Sequence, residues 1–298
     1  MFVIEVPYIN LDQIYNSGQI FSWIKLRDSK YVIPFKNKVL KIEQQRDRFD
    51  LTKCRLIMSC SEDDFYDIWF HYFDMETDYG DINFKAKRIG EEMSICASRG
   101  CGVRIINQDL FEMIITFCLA TATNIPRIKY MVQSIQEEFG IKHVQHMREA
   151  GKVTWYEFPT PEAILNDVNK LDSCKLGFRK DVISGICQDI TDGWLDLDLL
   201  KSMPYLEARD YLMQFNGIGL KVADCICLYG LHHLEAFPID THIDEILRTK
   251  YDCDDYNTFR EWHLHFLTGY EGVIQQYMFY NEINQPMEVG INGIGGQY

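Results

Sequence analysis

The chain of 298 residues contains no run of 18 or more apolar residues, so no membrane-spanning helix is expected. The N-terminal stretch MFVIEVPYINLDQ lacks both a basic segment and a long apolar one, and no secretory leader is expected from it. No Cys-x-x-Cys pair occurs among the ten cysteines, and none lies beyond Cys253. Cys225 and Cys227 lie two apart on a helical pattern, which points their thiols to different faces. Scattered thiols without a leader read as reduced core residues of an intracellular protein rather than as a disulfide framework. Metal ligands are equally sparse. His263 and His265 are the nearest pair, and without a further ligand cluster they read as two helix-surface histidines. Positive charge is in deficit: 30 Lys and Arg stand against 44 Asp and Glu, a net charge of −14. That balance argues against a generic nucleic-acid coat and predicts modest nonspecific affinity, although a footprint is made by local patches rather than totals. Basic residues do recur at Arg127 and Lys129 and again at Lys175, Arg179 and Lys180. There is no internal repeat, and the one biased segment is a polar, glycine-bearing tail at 289–296.

What remains is an ordinary globular composition, 47% hydrophobic and 25% charged, long enough for two domains. Residues 1–52 read mainly as short strands. Stretches 21–26, 31–35 and 39–42 are rich in β-formers, with turns at Asp28-Ser29-Lys30 and Lys36-Asn37-Lys38, and predict an antiparallel sheet. Residues 61–73 form a helical pattern with one aromatic side, Phe65, Trp69, Tyr72 and Phe73. From about residue 84 the pattern is helical throughout, with candidates at 84–99, 109–120, 128–139, 161–166, 180–192, 205–214, 220–231, 242–249, 256–267 and 272–283, punctuated by Gly and Pro. The expected fold is α+β: a sheet domain at 1–83, a mostly helical domain at 84–288 and a flexible tail at 289–298.

The stretch with most chemistry is 214–240. Phe215-Asn216-Gly217-Ile218-Gly219 places a G-x-G turn between two helical patterns. Such a turn brings backbone N–H groups and the positive end of the second helix toward a phosphate. Lys221 sits in the first turn of that helix, where the dipole disfavours a cation. Cys225 lies one turn on, on the same face. Asp240 follows nineteen residues after Lys221 and precedes a helix as an N-cap. Taken singly, these are a surface lysine, a buried thiol and a helix cap.

Taken together, with Lys-Val-Ala-Asp-Cys-Ile-Cys-Leu at 221–228 and Phe-Pro-Ile-Asp-Thr-His-Ile at 237–243, they strongly resemble the helix-hairpin-helix DNA glycosylase superfamily, and within it the 8-oxoguanine DNA glycosylase/AP lyase family. The resemblance runs over roughly 1–285. It includes Ser17-Gly18-Gln19 before Phe21 and Trp23, the segment Tyr72 to Gly80, Gln108-Asp109, Asn124-Ile125-Pro126-Arg127-Ile128, Leu176-Gly177-Phe178-Arg179 and the helix from Gly272 to Phe279. It implies a catalytic Lys221 and Asp240, and a base pocket of Gly18 (through its carbonyl), Cys225, Gln275 and Phe279. DNA backbone would be held at Gly217, Gly219, Val222 and His242, and the estranged base would be met by Asn124, Arg127, Phe178 and Arg179. Carbonyls of Met213, Phe215 and Ile218 would hold a structural Na+ or K+. The family's usual asparagine run is reduced here to Ala122-Thr123-Asn124, so a preference for cytosine opposite the lesion is expected, but a weakened one. Without cysteines beyond Cys253, the iron–sulfur cluster of other superfamily members is not expected, and no cofactor is expected for catalysis. The implied partner is duplex DNA containing 8-oxoguanine, bound by a monomer in a bacterial cytoplasm at the nucleoid, intracellular in any case.

These residue types fit the chemistry. A base buried in the stack must be extruded before C1′ can be reached. A lysine permits covalent attack on C1′, a Schiff base and strand cleavage by β-elimination. Attack needs the neutral amine, which burial and the helix N-terminus both favour. Two other readings remain open on the residues alone. One is a related glycosylase for a different damaged base. The other is a noncatalytic DNA-binding hairpin protein, which would require neither Lys221 nor Asp240.

Overall fold

The computed structural model describes residues 1–46, 53–148 and 150–284; the tail expected at 289–298 lies outside the described residues. The fold is α+β, as expected. Its N-terminal part runs β1 (Phe2–Val6), α1 (Leu11–Tyr15), β2 (Ile24–Arg27), β3 (Lys30–Phe35), β4 (Lys38–Arg46) and β5 (Cys54–Met58), forming an antiparallel sheet in the order β1-β5-β4-β3-β2. The turns fall where expected, between β2 and β3 and between β3 and β4. The strand β5 was not foreseen.

Alternation along β3 shows why the sheet is covered on both sides. Tyr31 and Ile33 face a core with Leu11, Ile14, Trp23 and Trp69. Val32 faces the other way, against Val153 and Trp155. Those two belong to a hairpin, β6 (Lys142–Met147) and β7 (Gly151–Tyr156), that interrupts the helical half. The sequence reading placed only helices after residue 84. The hairpin was missed because β6 exposes Val144, so only β7 carries an inward-facing alternation.

The aromatic segment after the sheet is α2 (Glu62–Asp64), a π-turn over Phe65–Trp69 and α3 (Phe70–Tyr72). The helical half then opens with α4 (Tyr79–Ala86) and α5 (Glu91–Arg99). One helix was expected over 84–99. Instead α4 ends in i→i+3 bonds, Arg88 N to Lys85 O and Ile89 N to Ala86 O, and Gly90 starts α5. The expected domain edge at 83 falls within α4, whose Tyr79 and Ile82 pack in the helical core. There follow α6 (Leu110–Leu119), α7 (Ile125–Phe139), α8 (Pro161–Leu165), a 3-10 turn over Val168–Asp172, α9 (Arg179–Thr191), α10 (Leu197–Ser202), α11 (Tyr205–Leu212), α12 (Leu220–Gly230), α13 (Thr241–Tyr251), α14 (Tyr256–Phe259) and α15 (Glu271–Ile283). Helix α10 was not foreseen. The helix expected at 256–267 is shorter, since α14 passes into a π-turn over Arg260–Leu264. Helix α7 starts three residues earlier than expected because Asn124 caps it, accepting from Arg127 N at 3.0 Å, and Pro126 fits its first turn.

Every residue of α6 from Leu110 to Leu119 except Glu112 is buried, as is every residue of α12 from Val222 to Gly230 and of α15 from Glu271 to Met278. These stretches are buried on nearly every face, and their apolar residues form the centre of the larger core. Among the described residues no helix is long and apolar enough to cross a membrane.

Candidate active site

Helices α11 and α12 are joined by the turn 213–219. Gly217 sits at φ +86, and a Cβ there would lie 2.4 Å from Cγ1 of Val182 on α9. The position therefore demands glycine twice, for its backbone conformation and for the close approach. Ile218 is buried and fastens the turn to the core, while Met213, Asn216 and Gly217 are exposed. Gly219 occupies the N-cap of α12 with nothing within 4 Å of a Cβ position, and no side chain caps that helix. The amides of Gly217, Gly219 and Val222 thus belong to a helix entrance without an acidic residue or a side-chain acceptor. Of the three carbonyls expected to face a cation, that of Phe215 accepts from Ile218 N at 3.2 Å, which leaves one of its lone pairs.

Lys221 emerges from this helix end into a cavity of about 930 Å³. The same cavity is lined by Gly18, Asn124, Val222, Cys225, Asp240, His242, Gln275 and Phe279, so residues from both halves of the chain meet there. The Lys221 Nζ lies 5.7 Å from the centre of the Phe117 ring. Burial pushes the Cys225 thiol up to about 11, with Lys221 pulling the other way by charge and hydrogen bond. The thiol is therefore a neutral wall at physiological pH. Asp240 is the N-cap of α13, its Oδ1 accepting from Ile243 N at 2.9 Å. Among the described residues Lys221 and Asp240 form no ion pair, although both face the same space. Gln275 is buried, and its Nε2 donates to Pro238 O at 3.1 Å. Its Oε1 is buried with no partner among the described residues, an acceptor aimed at nothing in the protein. Gly18 lies at φ +84, close against Phe279 and Ile125.

The residues that the resemblance assigns to an estranged base form a second group. The Arg179 guanidinium is buried and donates to Leu176 O at 3.3 Å, to Thr121 O and to Ala122 O at 3.2 Å, while its Nε has no partner among the described residues. It also stacks 4.4 Å from the Phe178 ring centre. Arg179 therefore holds the loop 121–124 in place. The reason is that Ala122 is at φ +50, a conformation in which its carbonyl can be gathered with that of Thr121. Arg127 is partly exposed, donates to Lys175 O at 2.5 Å and lies 5.1 Å from the Tyr130 ring centre. Asn124 is used by its helix cap, while Phe178 is 64% exposed and free to stack.

The sequence reading missed the aromatic wall of the cavity. Phe117 stacks on Tyr229 at 5.3 Å and meets Phe21 edge-on at 6.3 Å. All three line the cavity. Tyr229 was visible in principle, since it lies eight residues after Lys221 and four after Cys225, on one helical stripe. Phe117 was not, because α6 is apolar all round and shows no face.

The first 114 residues match the family model of the 8-oxoguanine DNA glycosylase N-terminal domain. A Saccharomyces cerevisiae protein named N-glycosylase/DNA lyase is 30% identical over 162 residues, a match that covers 50% of this chain and 42% of that protein. The chain thus matches less than half the length of this relative. Among solved structures, the Clostridium acetobutylicum 8-oxoguanine glycosylase/lyase, in complex with double-stranded DNA containing cytosine opposite 8-oxoguanine, superposes with a TM-score of 0.81 at 27% identity, over 94% of this chain and 97% of that one. A structure of MBOgg1 with a low-affinity DNA ligand gives the same TM-score at 28% identity, over 93% of each chain.

Proposed function

We propose that the chain is a member of the 8-oxoguanine DNA glycosylase family, removing 8-oxoguanine from duplex DNA through a lysine Schiff base and then cleaving the strand as an AP lyase. The observation that carries this reading is the meeting of Lys221, Asp240, Cys225, Gln275, Phe279 and Gly18 around one cavity large enough for an extruded nucleotide.

In this reading the Lys221 Nζ forms a bond to C1′ as the C1′–N9 bond breaks, and one amine proton ends on the departing base. Asp240 supplies negative charge beside the sugar as positive charge builds on it. Its cap bond to Ile243 N occupies Oδ1 and fixes the carboxylate's direction. The C1′–O4′ bond then breaks as a proton passes from the nitrogen to O4′, leaving an imine that makes the C2′ proton acidic; loss of that proton expels the 3′ phosphate. Base recognition falls to the apolar slot between Cys225 and Phe279, with the orphan Gln275 Oε1 accepting from the N–H groups of the purine's Watson–Crick edge. The Gly18 carbonyl accepts from the N7–H that 8-oxoguanine has and guanine lacks, so guanine would set two acceptors against each other.

Backbone amides of Gly217, Gly219 and Val222 at the start of α12, which no side chain caps, with exposed His242 lining the same cavity as Val222, hold the phosphates without reading sequence. An alkali cation on the carbonyls of Met213, Phe215 and Ile218 would add positive charge there; the free lone pair on the Phe215 oxygen is compatible with it. Phe178 and Arg127 meet the estranged base.

The test is single-turnover excision and borohydride trapping on duplexes carrying 8-oxoguanine, other oxidised or alkylated bases, and an abasic site. Trapping and release are expected for 8-oxoguanine and for the abasic site. A stronger response to another lesion would overturn the substrate assignment, and release without any trapped complex would overturn the lyase.

A further inference from the structure

The carbonyl proposed to separate 8-oxoguanine from guanine belongs to a loop whose neighbouring carbonyls are each held by a buried glutamine. Ser17 O accepts from Gln276 Nε2 at 2.9 Å. Gln19 O accepts from Gln108 Nε2 at 3.1 Å. Both glutamines are tied in turn to one residue, Tyr229 of the lysine-bearing helix. The Tyr229 hydroxyl donates to Gln276 Oε1 at 2.5 Å, and the Tyr229 carbonyl accepts from Gln108 N at 3.2 Å. The Gln19 side chain closes the loop from within, donating to Ser17 Oγ and Arg104 O, both at 2.9 Å, and accepting from Ile106 N at 2.8 Å. Ser17, Gln19 and Gln276 are fully buried, Tyr229 and Gln108 nearly so. Gly18 between them accepts no hydrogen bond among the described residues, and it lines the cavity.

Two glutamines in a core are costly unless fully bonded. A glycine at φ +84 has unusual freedom to turn its peptide plane. A carbonyl that must tell N7–H from a bare N7 has to stay where it points, because a small rotation gives the discrimination away. Pinning the carbonyls on either side removes that freedom without using the one between them.

We propose that Gln276 and Tyr229 are positioning residues for base discrimination: the pair ties the Gly18 loop to the helix that carries Lys221, so that the discriminating carbonyl and the nucleophile are set on one frame. Their action is through the loop; neither is required to touch the base. The proposal rests on the function inferred above.

The measurement is a ratio. Single-turnover excision is followed for 8-oxoguanine and for guanine in otherwise identical duplexes, together with strand cleavage at a preformed abasic site, which needs no base recognition. Gln276→Met keeps the length of the side chain and removes both bonds. It is expected to lower the 8-oxoguanine-to-guanine ratio about tenfold, the scale of a lost buried hydrogen bond, with abasic cleavage within about twofold of wild type. Tyr229→Phe keeps the ring on Phe117 and removes only the hydroxyl. It is expected to lower the ratio in the same direction by a smaller factor, and it carries the test if Gln276→Met does not fold. An unchanged ratio in folded variants overturns the proposal, as does a loss of abasic cleavage equal to the loss of 8-oxoguanine excision. A wild-type protein that shows no preference for 8-oxoguanine over guanine instead overturns the functional reading beneath it.

Discussion

Gly18 and Phe279 are in such close contact that a Cβ on the glycine would stand 2.7 Å from Cε1 of the phenylalanine. The two lie at opposite ends of the chain, one before the first long strands and one on the last helix. Both line the cavity that Cys225 also lines, and the helix of Cys225 lies between them in sequence. In the proposed reading one side chain stacks on the base and the other offers a carbonyl to its edge.

Gly18→Ala is therefore expected to fail twice. The backbone sits at φ +84, which costs an L-residue roughly 1–2 kcal/mol. The new methyl also displaces Phe279. A lower melting temperature and a loss of 8-oxoguanine excision of more than about tenfold are expected, with abasic-site cleavage retained in the folded fraction. Equal loss of both activities at full folding would contradict the base-recognition role.

Asp240→Asn separates charge from structure. Asparagine caps a helix about as well as aspartate, so the melting temperature should change by little, less than ~1 kcal/mol in stability. Base release should slow by roughly 10²–10³-fold, because the charge acts on the transition state. Thermal melting beside single-turnover rates decides it. An activity loss accounted for wholly by unfolding would assign Asp240 to the helix cap alone.

The two arginines should now behave differently. Arg179 is tied to the backbone of 121–122, so Arg179→Ala should slow excision by a similar factor whichever base stands opposite the lesion. Arg127→Ala should flatten the preference itself. Cytosine should be favoured by the low end of the ~1–3 kcal/mol typical of a reading contact. Single-turnover excision opposite C, A, G and T, in both variants, checks this. Selective loss of cytosine preference in Arg179→Ala would reverse the assignment.

Asp224, buried on the lysine helix against Tyr205 of α11, gives a pH prediction. Burial raises its carboxyl to about 6, against opposing contributions from the Tyr205 hydroxyl at 2.8 Å and the Arg209 charge. The folded state holds this proton more tightly than the unfolded chain, whose value is near 3.8. Its contribution is thus full below about 4 and is lost as pH rises through about 6, a fall of roughly 2–3 kcal/mol. Asp224→Asn keeps an acceptor for Tyr205 and should remove that slope, raising stability at pH 7–8. Denaturant melts between pH 4 and 8 measure it. A slope unchanged in the variant would place the titration elsewhere.

The parts of the site legible in the sequence were the local ones. Gly217 and Gly219 mark a turn, Lys221 and Cys225 share a helical face, and Asp240 has the look of a cap; each signal lies within a few residues of the group it positions. What could not be read is carried by contacts between distant segments. The pairing of Gly18 with Phe279, and of Ser17 with Gln276, depends on how the sheet half docks on α15. The commitment of Arg179 to the loop at 121–122 depends on α9 packing beside α6. The hairpin β6–β7 was hidden because its outward strand exposes Val144 and so lacks the alternation by which strands are recognised. Resemblance to a family placed the pocket residues where periodicity alone would have assigned Gln275 and Phe279 to surface and core.

The central claim is that Lys221 is the nucleophile, and borohydride trapping of Lys221→Gln tests it most directly. Glutamine keeps most of the side chain's length beside Phe117 and removes the amine. The account predicts no covalent complex with a duplex containing 8-oxoguanine, while binding of that duplex stays within a few-fold of wild type. A variant that traps at wild-type yield would show that another amine attacks C1′, and would contradict the assignment of this helix, hairpin and cavity to the chemistry.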